Sequence, residues 1–64
     1  MKKMTTIKEL VEWSKEIKKR FPKHRDEIWD LISLCIDEVA HDGSEPHEVQ
    51  LCYNDIRDLV GIDE

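Results

Sequence analysis

The sequence predicts an all-α protein, built as a small antiparallel three-helix bundle. Apolar residues recur at intervals of three and four over three segments, as they do on one face of a helix. Pro22 and the Asp42-Gly43 pair divide these segments, and no stretch alternates between apolar and polar residues as a half-buried strand does. Because the connections are short, consecutive helices should pack antiparallel. The predicted helices are 6–21, 23–41 and 44–60, in a single domain of residues 1–64.

The first helix is predicted to begin at Thr6, where the segment TIKE has the pattern of a capping box. In that motif the Thr6 hydroxyl accepts a hydrogen bond from the amide of Glu9, and the Glu9 side chain reaches back. Phe21 precedes Pro22 and is therefore biased away from helical conformation, which ends the helix. The stripe expected to face the core contains Ile7, Leu10, Val11, Ser14, Ile17 and Phe21, with Trp13 on its flank.

The second helix has an unusually wide apolar arc. It covers about half of the circumference, more than the stripe of an ordinary surface helix, so more than one neighbour must cover it. On the acidic side of the same helix, Leu34 lies among aspartates and glutamates. The arc contains Ile28, Leu31, Ile32, Cys35, Ile36 and Val39, with Trp29 at its edge.

The third helix has clear signals at both ends. Ser44 is predicted as its N-cap. Gly61 follows its last turn, where a left-handed residue is favoured, and Ile62 is placed for the apolar contact that accompanies such an end. The core stripe contains Val49, Cys52, Tyr53, Ile56, Leu59 and Val60, whereas Leu51 lies on the polar side.

Length and composition narrow the class of protein. With 64 residues the chain can build only a thin core. No apolar run indicates a signal peptide or a membrane span, and two cysteines are too few for a secreted disulfide scaffold. We therefore expect a cytoplasmic protein with reduced thiols.

The charge is divided along the chain. Residues 1–25 contain nine of the ten Lys and Arg against three acids, a net charge of +6, whereas residues 26–64 contain twelve acids against Arg57, a net charge of −11. Such a division is typical of an interaction surface or a basic arm. It is equally compatible with a basic helix that lies against acidic ones within the fold.

The segment from Cys35 to Cys52 raises the question of a metal site, because it has the spacing C-x5-H-x5-H-x4-C. Both cysteines lie in core stripes, whereas His41 and His47 are rotated away from them, so one ion cannot easily reach all four. We expect no metal and no cofactor, and two free thiols buried between the second and third helices. The sequence contains neither a nucleophile motif nor a glycine-rich phosphate loop, which favours a non-enzymatic protein.

The third helix disfavours direct nucleic-acid binding, because its acids would repel the phosphates of DNA and only Arg57 offsets them. These acids are Glu48, Asp55 and Asp58. Direct binding would have to use a basic patch in residues 15–25. The acidic helices could instead imitate a phosphate backbone and occupy a DNA-binding protein. The basic patch consists of Lys15, Lys18, Lys19, Arg20, Lys23 and Arg25.

Four apolar residues have positions that a three-helix core does not explain. Leu34 and Leu51 lie on polar faces, and Trp13 and Trp29 lie at the margins of their stripes, where a large ring would be partly exposed. We expect these residues to bind a protein partner, through a homodimer or a docking surface on the first two helices with the tryptophans as anchors.

The segment LISLCIDEVAHDGSEPHEVQLCYNDIRDLV, residues 31–60, resembles short helical accessory proteins of bacteriophages and prophages. The resemblance covers about half of the chain and contains no signature motif. It implies a protein that binds and modulates a host or phage protein.

Overall fold

Three α-helices form the fold, and the prediction of an all-α bundle is confirmed. The computed structural model describes residues 3–62, except for the side chain of Asp42. The helices are α1, Ile7–Arg20, α2, Arg25–Asp42, and α3, Glu45–Val60, with a single 3-10 turn, Pro22–His24, before α2. None of them, within the described residues, has both the length and the apolar character needed to cross a bilayer.

The capping motif of α1 forms as predicted and extends by one residue. The amide of Glu9 donates to Thr6 Oγ1 at 3.2 Å, and the Glu9 carboxylate accepts from the Thr6 hydroxyl at 3.2 Å and from the Thr5 amide at 3.3 Å. Hydrogen bonds from the side chain and backbone of Thr5, and then from Thr6, hold the pKa of Glu9 below its ordinary value. The first turn of α1 is therefore stabilised by its own sequence.

A second contact joins the start of α1 to the start of α3. The amide of Ile7 donates to Glu45 Oε2 at 2.9 Å, and the amide of Met4 donates to Gln50 Oε1 at 3.2 Å. Glu45 lies in the first turn of α3, where the helix dipole favours an acid. Its carboxylate accepts a hydrogen bond from the Ile7 amide, one of the first amides of α1, which have no partner within that helix.

The ends of the other helices differ in part from the prediction. Pro22 begins a 3-10 turn rather than α2, which starts at Arg25. Ser44 occupies the N-cap position of α3, but its side chain forms no capping hydrogen bond. Pro46 at the second helical position has no N–H, so one of the two amides that an N-cap side chain normally binds is missing.

The C-terminal end of α3 is confirmed. Gly61 has φ 76°, in the left-handed region, and the amides of Gly61 and Ile62 both donate to the carbonyl of Arg57, at 2.8 and 3.1 Å. Ile62 is half-buried against the core, as the sequence predicts.

The core lies where the three helices meet, and α2 packs against both of the others. The ring centroids of Trp13 in α1 and Tyr53 in α3 are 4.6 Å apart at an interplanar angle of 65°, an edge-to-face contact. Ser14 is also buried, with its hydroxyl donating to the carbonyl of Val11 at 2.8 Å. The buried apolar residues are Met4, Leu10, Trp13, Ile17, Ile28, Ile32, Cys35, Val49, Cys52, Tyr53 and Ile56.

The N-caps of α1 and α3 provide a matched test of local stability. Thr6→Ala should lower the free energy of unfolding by about 1 kcal/mol, because it removes a formed capping bond. Ser44→Ala should change it by less than about 0.5 kcal/mol, because no such bond is lost. Urea denaturation of both variants measures the difference, and equal losses would contradict the description of the two caps.

The Tyr53 hydroxyl is buried and has no hydrogen-bond partner among the described residues. Tyr53→Phe keeps the ring contact with Trp13 and removes an unsatisfied polar group, so the free energy of unfolding should stay the same or rise by about 1 kcal/mol. The same denaturation experiment measures it. A loss of more than about 1 kcal/mol would show that the hydroxyl has a partner in solution.

Candidate functional site

A long apolar depression runs between α2 and α3. It consists of two adjoining cavities of about 210 and 430 Å³, which share Leu31, Leu34 and Asp55 in their walls. We call the two together the α2–α3 groove. Its apolar residues are Leu31, Leu34, Cys35, Leu51, Cys52 and Leu59.

Leu34 and Leu51 are the most exposed apolar residues of the groove, and both were predicted to lie outside the core. Their side chains are 57% and 45% exposed, which confirms the prediction of exposure. They come from different helices but line the same cavity. Because α2 and α3 run antiparallel, two leucines that each interrupt a polar face become parts of one apolar surface.

The rim of the groove is acidic. No Lys or Arg lines either cavity within the part of the chain that the structure describes. Because the rim carries one sign of charge beside an apolar floor, it focuses a negative potential on whatever enters. The rim carboxylates are Glu27, Asp30, Glu38, Glu48 and Asp55.

Cys35 and Cys52 lie in the groove as free, buried thiols, which confirms their predicted position. Cys52 donates a hydrogen bond from Sγ to the carbonyl of Leu31 at 3.4 Å. Burial raises the pKa of Cys52 to about 12, and Cys35 and Asp55 act in the same direction. Burial also raises the pKa of Cys35, with a further contribution from Glu48.

The raised pKa makes Cys52 a poor nucleophile. With a pKa of about 12, only about one molecule in ten thousand has the thiolate at pH 8. Iodoacetamide should therefore leave Cys52 almost unmodified in the native protein, whereas both thiols should react readily in denaturant. Mass spectrometry of the alkylated peptides measures this, and rapid modification of native Cys52 would contradict the burial described above.

The histidines of the Cys-His segment do not join the cysteines. His41 and His47 are exposed, whereas Cys35 and Cys52 are buried, as the helical rotation predicts. Among the described residues, no group of three or more metal-binding side chains comes together.

The two tryptophans have different environments, and the prediction for Trp13 is wrong. Trp13 is only 9% exposed, because Tyr53 of α3 covers its ring, so it is a core residue and not a surface anchor. Trp29 is 54% exposed, as predicted, and the ammonium of Lys18 lies 5.5 Å from its ring centroid. Trp29 therefore lies on the α1 flank of α2, roughly 140° around the helix from Leu34.

The four predicted partner-binding residues consequently do not form one surface. Leu34 and Leu51 share the α2–α3 groove, Trp29 lies on the opposite flank of α2, and Trp13 is in the core. Ile36, which is also exposed, lies seven residues after Trp29 and thus on the same flank.

The predicted basic patch surrounds the corner between α1 and α2. A cavity of about 240 Å³ lies there, lined by Arg20, Lys23 and His24 together with Phe21 and Pro22. The Arg20 guanidinium carbon is 5.4 Å from the Phe21 ring centroid. Lys18 is half-buried, and the exposed members of the patch are Lys15, Lys19, Arg20, Lys23 and Arg25.

Comparison with known proteins gives no relative for this chain: no protein-family model matches it, and neither do curated proteins or solved structures.

Proposed function

We propose that this protein is a non-enzymatic helical interaction module that binds another protein through the α2–α3 groove and modulates it. The observation that carries the proposal is the juxtaposition of Leu34 and Leu51, two exposed leucines from different helices in one cavity. A host or phage protein is the expected partner, in line with the resemblance of residues 31–60 to phage accessory proteins.

Burial of these leucines would contribute useful binding energy. Full burial of a leucine side chain stabilises a complex by about 2 kcal/mol, so covering the exposed half of each contributes about 1 kcal/mol. The half-buried Leu31, which both cavities share, and the half-buried Leu59 extend the same surface. A central apolar cluster inside a polar rim is the usual arrangement of a protein-binding hot spot.

The setting that fits the proposal is the cytoplasm, because both cysteines are present as free thiols. A homodimer is a second form of the proposal. It would use the surface around Trp29, which is exposed on the α1 flank of α2.

The test of the proposed function compares three forms of the tagged chain, each produced in cells of the organism from which the protein comes. They are the wild type, the double variant Leu34→Ser/Leu51→Ser, and the single variant Ile36→Ser. All three substitutions replace an exposed apolar residue by serine, so the fold should survive in each variant. The Ile36→Ser variant is the control, because it makes the same kind of substitution outside the groove, on the other flank of α2.

Proteins captured by cross-linking should be recovered with the wild type and with Ile36→Ser, and should fall at least about tenfold with the double variant. Circular dichroism of the purified variants verifies that each remains helical. Equal recovery with the double variant and the wild type would contradict the proposed function.

A second candidate function is a nucleic-acid-related one, and its basis is the separation of a basic patch from the acidic faces of α2 and α3. The basic patch would contact phosphate, or the acidic faces of α2 and α3 would imitate it toward a DNA-binding protein. Binding of either kind depends on charge and should weaken steeply with salt, whether or not Leu34 and Leu51 are present. Docking in the α2–α3 groove, in contrast, is lost when Leu34 and Leu51 are replaced.

A further inference from the structure

We infer that the partner segment is a cationic amphipathic α-helix of about three turns. It lies along the α2–α3 groove with its apolar stripe on Leu31, Leu34, Leu51 and Leu59. Its Lys and Arg side chains extend to the carboxylates on both rims. This inference rests on the proposed function, since it names the kind of partner that the groove accepts.

The charges around the groove determine which charge the partner segment must have. Five carboxylates line the groove, and no cation lines it within residues 3–62. The floor of the groove lies close to these acids: beside burial, which is the main cause, Glu48 raises the pKa of Cys35 and Asp55 raises that of Cys52. An acidic or neutral segment would be repelled or would leave these carboxylates without partners, whereas Lys and Arg offer both charge and long apolar stems.

The form of the groove favours a helix over an extended peptide. The walls are two α-helices, whose backbone amides and carbonyls are already bonded within each helix. An extended peptide would bury its own backbone groups against the leucines of the floor, which cannot satisfy them, and the rim carboxylates offer acceptors but no donors for its carbonyls. A helix satisfies its backbone internally and completes a four-helix arrangement over the seam.

The length of the groove sets the length of the partner. The groove extends from Glu27 to Glu38 along α2 and from Glu48 to Leu59 along α3. Each of these spans corresponds to about 17 Å of helix, or three turns. A partner helix that fits this span presents apolar residues at positions i, i+4, i+7 and i+11, with Lys or Arg on both sides of the stripe.

A second copy of this chain does not provide such a helix. Two copies paired symmetrically through the groove would place their acidic rims opposite each other, which is unfavourable. The lysine-rich helix is α1, and its apolar stripe, Leu10, Trp13 and Ile17, is buried in the core of its own chain. The complementary helix therefore belongs to a different protein.

Synthetic helical peptides of about 15 residues test the inference directly. The first has leucines at i, i+4, i+7 and i+11 and lysines on both flanks. The second keeps the leucines and replaces the lysines by glutamates. The third keeps the lysines and scrambles the leucine positions. Binding to the full chain is measured by fluorescence anisotropy at roughly 0.01 and 0.15 M salt.

The first peptide should bind at least about tenfold more tightly than either of the others. Its affinity should fall about tenfold with Leu34→Ser/Leu51→Ser and several-fold with Glu38→Gln/Glu48→Gln. Two matched controls should leave the affinity unchanged: Ile36→Ser, an apolar residue of the other α2 flank, and Glu12→Gln/Glu16→Gln, two exposed acids of α1.

Four results would overturn the inference. If the lysine and glutamate peptides bound equally and both needed Leu34, the groove would bind protein without selecting charge, and the proposed function would stand alone. Tight binding of the scrambled lysine peptide, or no binding of any peptide, would also overturn it. So would a dimer of the free protein, seen in sedimentation, that Leu34→Ser dissociates, because the occupant would then be a second copy.

Discussion

The fold depends on one constraint: α2 has apolar side chains over about half of its circumference and must be covered from two sides. α1 and α3 cover the middle of this arc, where Ile28 and Ile32 are completely buried. Neither neighbour extends over the edges. Trp29 and Ile36 are left exposed on the α1 flank, and Leu34 is left exposed on the α3 flank. No fourth helix lies over either edge within residues 3–62, so apolar surface remains there.

Polar contacts hold the three helices in the register that creates the groove. The Glu45 carboxylate binds the Ile7 amide, and Gln50 binds the Met4 amide, so the start of α1 is attached to the start of α3. In the core, the Trp13–Tyr53 ring contact joins the same two helices farther along. These contacts join α3 to α1, while α3 also packs along α2, where Cys52 Sγ donates to the carbonyl of Leu31. The packing of α3 on α2 places Leu51 beside Leu34. The acidic and basic residues, which are separated along the chain, are therefore also separated in space. The acids form the rim of the α2–α3 groove, and basic residues surround the corner at the end of α1.

The sequence predicted the features that depend on neighbouring residues. The capping box at Thr6 and the left-handed Gly61 are local patterns, and both form. The burial of Cys35 and Cys52 and the exposure of Leu34 and Leu51 follow from helical periodicity, and these are also confirmed. Two features that depend on the detailed contacts between helices were not predicted. Trp13 lies at the edge of its stripe, and only the position of Tyr53 in α3 makes it a core residue. The pairing of Leu34 with Leu51 and the continuous acidic rim depend on the register of α2 and α3, although the acids at positions 27, 30 and 38 show that one face of α2 is charged.

Binding in the α2–α3 groove requires that its leucines lie open to water in the free protein. Methyl NMR of the full chain, titrated with a neutral soluble gadolinium chelate, measures this exposure, because the chelate broadens only the methyl signals that it can approach. The methyl signals of Leu34 and Leu51 should broaden strongly, like that of Ile36, while those of Leu10 and Ile32 should remain sharp. Protection of Leu34 and Leu51 equal to that of Ile32 would show that the groove is already covered, and would contradict this account of the molecule.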